Sequence, residues 1–247
     1  MAMRTPQRAG SGLAWGVTAV VAIVAASGAV GVLHLIPPFA DLDPVRRTIS
    51  EYALLDNGWV FNLAVLLLAA GSAATLVGLT RAQLMRPVSL ASIGLALWSL
   101  GLAGVVIFPK HNWAVGPSVS GDLHRAASLA AFVSLPVAAL ALAWAWRRDS
   151  TWRGHARWAG WLGVASLAAF SPLLYAIVSA PVTGIRWWRA VPLGGVERAL
   201  ALTETLTVLA LALWALRARR RLVAGPTART DPATGRARQD SNLRPSD

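Results

Sequence analysis

Six long apolar runs decide what this chain can become. They cover roughly residues 12–36, 59–80, 88–108, 122–146, 158–180 and 197–217. A bilayer core about 30 Å thick is crossed by about 20 apolar residues in a helix, and each run is long enough. Within lipid a spanning segment must satisfy its own backbone, so each run is expected to be a helix. The expectation is an all-α protein: a six-transmembrane-helix bundle over 12–217, a short cytoplasmic N-terminus over 1–11 and an Arg-rich tail over 218–247. Composition agrees. Hydrophobic residues make up 55% of the 247, charged residues only 14%, and mean hydropathy is +0.53. Soluble domains carry about 25% charged residues. There is no cysteine, which excludes disulfides, thiolate metal sites and cysteine nucleophiles.

The net charge of +12 comes from 22 arginines and one lysine. With both termini inside, 16 of these 23 bases fall on the cytoplasmic side, among them Arg81, Arg86, Arg147, Arg148, Arg153 and Arg157 in short loops. That is the positive-inside pattern of a cell-membrane protein, so the charge reads as topology and no nucleic-acid partner is expected. The first run is preceded by Arg4 and Arg8 but is longer than a signal-peptide core, and it reads as a retained helix. The tail is polar, with Pro and Gly, and reads as disordered. Trp113, Trp187 and Trp188 on one side, and Trp146, Trp152 and Trp158 on the other, suit interfacial belts.

The outer side has a different chemistry. It holds seven acids, seven bases and three of the four histidines. Its first loop, DLDPVRRTISEYALLDNGW over 41–59, contains two helix-start signals. Asp43-Pro44 fits a cap followed by a first-turn proline, and Thr48-x-x-Glu51 fits a capping box. A helix from Pro44 would put Val45, Ile49 and Tyr52 on one face, with Arg46, Arg47, Ser50 and Glu51 on the other. This is a short amphipathic helix, lying on the membrane surface with its charges solvated or plugging the mouth of the bundle; the pattern alone favours the first. Phe108-Pro109 ends the third helix, and Asp122-x-His124-Arg125 opens the fourth. The sixth begins GGVERALALTETL. Glu197 stands at its mouth and Glu204 about 10 Å deeper. An ionisable group at that depth is costly and by default functional, with Arg125, His124 or Arg46 as the expected partner.

Three stretches carry a resemblance: DPVRRTISEYAL after the first helix, FP followed by G-x-LH before the fourth, and G-x-ERAL opening the sixth. Over roughly 12–217 the chain resembles the DUF998 family of six-helix bacterial membrane proteins, whose role is unknown. The resemblance implies that the polar stretches belong together on one side. It also implies an acid after the Phe-Pro pair, where this chain has Lys110-His111-Asn112.

The resulting expectation is an outward-facing polar cluster that binds or acts on a lipid or lipid-linked ligand. Glu204 and His124 are its candidate catalytic residues. Arg46, Arg47, Ser50, Glu51, Arg125, Glu197 and Arg198 are its candidate substrate-binding residues. An enzyme of this kind would be a membrane-embedded hydrolase or transferase. His111, His124 and nearby carboxylates are ligand types that zinc accepts, but no metal motif is present and no metal is assigned. A pairing of Ser50 or Ser120 with His124 lacks a nucleophile elbow. The alternative is a small transporter or channel with a Glu/Arg relay, although six helices without visible repeat symmetry are few for one. The sequence names no cofactor. Membrane lipids are the expected partners, and small-residue runs such as Ala69-Ala70-Gly71-Ser72 permit close packing within the chain or with a second copy.

Overall fold

The computed structural model describes residues 7–112 and 115–224, with side chains over 13–112 and 115–223. Arg4, Trp113 and residues 225–247 of the tail lie outside the described residues. The helices are α1 (Gln7–Leu33), α2 (Trp59–Arg81), α3 (Leu90–Ile107), α4 (Val119–Trp146), α5 (Arg153–Thr183), the single turn α6 (Trp187–Ala190) and α7 (Leu193–Ala224), and there is no strand among the described residues. All but α6 are long and apolar enough to cross a membrane. Several run past the apolar segments that predict them, because Arg153 and the arginines after Leu216 continue helices into the interfacial zone. Pro136 and Pro172 are accommodated inside continuous helices.

Each membrane-length helix packs on the next, α5 on α7 past the short α6, and α7 closes the ring against α1. It also reaches α2 and α4, which makes it the inner helix of the bundle. The packing surfaces are small. Gly94 and Gly101 of α3 face Ser134, Ala127 and Ala131 of α4, where a Cβ would stand 2.7 and 2.9 Å from a backbone carbonyl oxygen. Gly71 of the Ala69–Ser72 run packs against Ala19, Ala22 and Ile23 of α1. Large aliphatics point outward instead, Val21, Leu100 and Val182 among them. That inversion is stable only where the surroundings are as apolar as leucine, namely lipid.

Up-and-down threading gives the bundle two chemically distinct ends. One holds the short connections 82–89 and 147–152, with Arg81, Arg86, Arg147, Arg148 and the arginines ending α7. The other, here termed the cap, holds the connections 34–58, 108–118 and 184–192.

Candidate functional site

The cap is built on the 34–58 connection. Asp43 Oδ1 accepts from the amides of Val45 and Arg46 at 2.8 and 3.3 Å, which makes a turn of 43–47 and not a helix. The helix starts at the second signal. Glu51 reaches back to the Thr48 amide at 3.3 Å, and a single 3-10 segment runs over Ile49–Leu54. The surface placement favoured by the pattern is not adopted. Val45 of the expected apolar face is exposed, whereas Thr48 and Ser50 are buried. Tyr52 anchors the segment, fully buried and edge-on to His34, Phe39 and Phe61.

α7 holds this loop from below. The Glu197 carboxylate accepts from the Ile49 amide at 2.8 Å. Arg198 donates to the carbonyls of Pro44 and Arg47 at 2.9 and 2.7 Å, and to His34 Nε2 at 3.1 Å. The Gly195 amide donates to Val45 O at 3.0 Å. Gly194 lets the backbones meet, since a Cβ there would lie 2.7 Å from Pro44 O and closer still to Arg47 O. Arg198, a candidate ligand contact by sequence, is spent on the loop.

The polar side of the 3-10 segment faces Lys110. Its Nζ donates to Thr48 Oγ1, to Ser50 Oγ at 3.2 Å and to Glu51 Oε1 at 3.4 Å, with 14% of the side chain exposed. Sequence reasoning passed over Lys110. The only signal was that it replaces an acid after Phe-Pro, in a loop opposite Glu51. Arg47 closes the other side of Glu51 at 2.7 Å. Arg46 is nearly free, 86% exposed and 4.0 Å from Asp43. Arg125 lies 3.6 Å from Asp122 and over the Trp187 ring at 5.4 Å.

His111 and His124 have different duties. His111 is buried, its Nδ1 accepts from the Ser118 amide at 2.9 Å, and its Nε2 lies 3.4 Å from Asp122. It locks the start of α4, where Gly121 leaves room for the ring. His124 Nδ1 meets two carbonyls, Phe108 O at 2.9 Å and Val105 O at 3.0 Å. Two acceptors require the proton on Nδ1, so in the neutral ring Nε2 keeps its lone pair. Among the described residues no three His, Asp or Glu side chains converge to hold a metal ion.

These residues surround a cavity of about 410 Å³. Its rim carries Arg46, Arg47, Lys110 and Arg125 against Glu51 and Glu197, with His124 in the wall. Its floor is apolar, with Leu129, Phe132, Leu173, Ile177 and Leu200. Seven of the nine candidate residues come together here. Arg198 and Glu204 do not. Glu204 belongs to a second cavity of about 340 Å³ enclosed by α1, α2, α3, α4 and α7, separated from the first by Ser50, Ser128, Phe132 and Glu197, which line both. The expected partnership of Glu204 with Arg125, His124 or Arg46 is therefore not formed. Seven residues of helix place Glu204 about 10 Å below the cap, beneath that wall. Neither of its carboxyl oxygens has a hydrogen-bond partner among the described residues.

The model of the family described as "Protein of unknown function (DUF998)" matches residues 20–214. No curated protein and no solved structure matches the chain.

Proposed function

The chain belongs to the DUF998 family, and because that family has no known role we propose a function from the cap alone: the protein binds a membrane lipid or lipid-linked molecule through an anionic, phosphate-bearing headgroup. One observation carries this reading. Four basic side chains rim a cavity whose floor is apolar and whose edge carries Trp187 and Trp188. Cations at the mouth with aliphatic side chains below suit an anionic amphiphile and suit neither a free ion nor a neutral lipid. Arg46 and Arg125 have the weakest commitments to the protein and are the headgroup contacts. Lys110, Ser50 and Glu51 shape the mouth. His124 Nε2 is the group positioned to accept a proton from a bound headgroup, which is the chemistry a hydrolase or transferase would need. The relay alternative is not favoured, since no arginine among the described residues bonds Glu204.

The test is binding of phosphatidylglycerol against phosphatidylcholine to the purified full chain in nanodiscs. Wild type should prefer phosphatidylglycerol, and the preference should weaken at high salt. Arg46→Ala and Arg125→Ala should each weaken phosphatidylglycerol binding roughly tenfold, the loss of about one charge-assisted hydrogen bond. Equal affinity for both lipids, or unchanged affinity in both variants, would overturn the reading.

The reading also places the cap outside and both termini in the cytoplasm, as the arginine distribution asks. A chain without cysteine tests this cleanly. Val115→Cys, in the cap, should react with an impermeant maleimide on intact cells, and Ser150→Cys only after permeabilisation. The reverse pattern would put the cap inside.

A further inference from the structure

We propose that the second cavity is a binding site for an apolar, membrane-dissolved molecule carrying a single hydrogen-bond donor, an O–H or N–H, which bonds to the Glu204 carboxyl. The site is independent of the headgroup cavity and lies beyond its wall.

The wall chemistry specifies a donor. Ala26, Val30, Phe61, Val65, Leu68 and Leu102 make most of the surface. The donors around it, Thr205 apart, are already used. Ser27 donates to Ile23 O at 2.7 Å and Ser128 to His124 O at 2.9 Å. Trp98 Nε1 donates to Ser72 Oγ at 2.9 Å. Ser50 bonds Thr48 at 3.2 Å, and Arg198 is spent on the loop above. Glu204 is the unmatched acceptor: it is 0% exposed, and neither oxygen has a partner among the described residues. A buried acceptor without a donor is costly, and a ligand that supplies the donor removes that cost. Thr205, the next residue in the wall, offers one hydroxyl beside it. An acyl chain alone would leave the carboxyl unsatisfied, and a charged carboxylate or phosphate would find no uncommitted cation in this wall.

The packing specifies the route. Towards the arginine end α1 and α7 touch closely, since a Cβ on Gly16 would lie 3.1 Å from Leu216. Towards the cap the two helices are bridged by a long side chain, Arg198 Nε to His34 Nε2 at 3.1 Å, and a Cβ on Gly31 would meet nothing within 4 Å. Ser27, Gly31 and Leu202, exposed on the outer surface of these two helices, also line the cavity. The space at Gly31 is a lateral portal, so the ligand arrives from the lipid phase.

The experiment uses octan-1-ol, octan-1-amine, octanoate and octane on the full chain in nanodiscs, at equal mole fraction in the bilayer, with apparent affinity read from the shift in melting temperature. Octan-1-ol and octan-1-amine should stabilise the protein at least tenfold more effectively than octane, and octanoate should not stabilise it. Glu204→Leu should abolish the preference. Glu204→Gln should keep the alcohol and lose the amine. Gly31→Leu, a substitution with space to fill, should narrow the portal and weaken both. Equal response to octane, or an alcohol preference that survives Glu204→Leu, would overturn the proposal. Arg46→Ala should leave the alcohol response intact, so failure of the headgroup reading and failure of this one are separable.

Discussion

Glu204→Leu should raise the melting temperature of the purified chain by about 5 °C. Most substitutions of a fully buried residue destabilise, so the sign is the informative part. Leucine is close to glutamate in volume and adds no polar group. Neither Glu204 oxygen has a partner, and the cavity wall beside it is aliphatic and aromatic. Removing an unsatisfied buried polar group recovers roughly 2 kcal/mol, which is a shift of several degrees in a domain of this size. Glu204→Ala should gain less, because truncation enlarges the void. A fall in melting temperature with Glu204→Leu would mean that the carboxyl holds the bundle together, and the donor-binding proposal would lose its foundation. A gain would mark a residue kept at the expense of stability.

The six helices were legible because each is an uninterrupted apolar run, and lipid allows such a run little besides a helix. Their ends were less so, since Arg153 and Arg217 read as boundaries but sit in helices that extend into the interface. The cap was half legible. Asp43 and Thr48 both gave genuine capping signals, and only the fold decides that the first makes a turn and the second starts a helix. Periodicity assumed one helix from Pro44, whereas the turn at 43–47 takes Val45, Arg46 and Arg47 out of it, and it gave no sign that Thr48 and Ser50 would be buried along with Tyr52. Here Lys110, about sixty residues away, draws Thr48, Ser50 and Glu51 inward. That pairing depends on how α3 and α4 meet the first loop, and no local pattern encodes it. Glu204 was singled out by its depth in the sixth apolar run, and the fold buries it completely. Its separation from the cap follows from the Phe132 and Ser128 side chains of α4, which stand between the two cavities.

Arg198 gives the second large effect. The sequence made it a candidate ligand contact, and the fold makes it the brace of the first loop. Its guanidinium reaches Pro44 O, Arg47 O, Gly194 O and His34 Nε2, and it lies over the Tyr52 ring at 5.8 Å. Arg198→Ala should cost about 3 kcal/mol, since it removes several charge-assisted hydrogen bonds at once, and should lower the melting temperature by about 8 °C. Arg198→Lys should recover little, because one ammonium cannot reproduce a planar fork that reaches a histidine and several carbonyls together. Gly194→Ala should act in the same direction by forcing Arg47 O and Pro44 O away. In both Arg198→Ala and Gly194→Ala, amide exchange across residues 44–52 should accelerate, and phosphatidylglycerol binding should fall with it, because Arg46, Arg47, Ser50 and Glu51 all ride on that loop. The two readouts separate positioning from contact. If Arg198→Ala abolishes lipid binding while exchange across 44–52 stays at the wild-type rate, Arg198 touches the headgroup itself. If exchange and binding change together, and Gly194→Ala reproduces both without altering any charge, the loop is the binding element and Arg198 is what holds it in place.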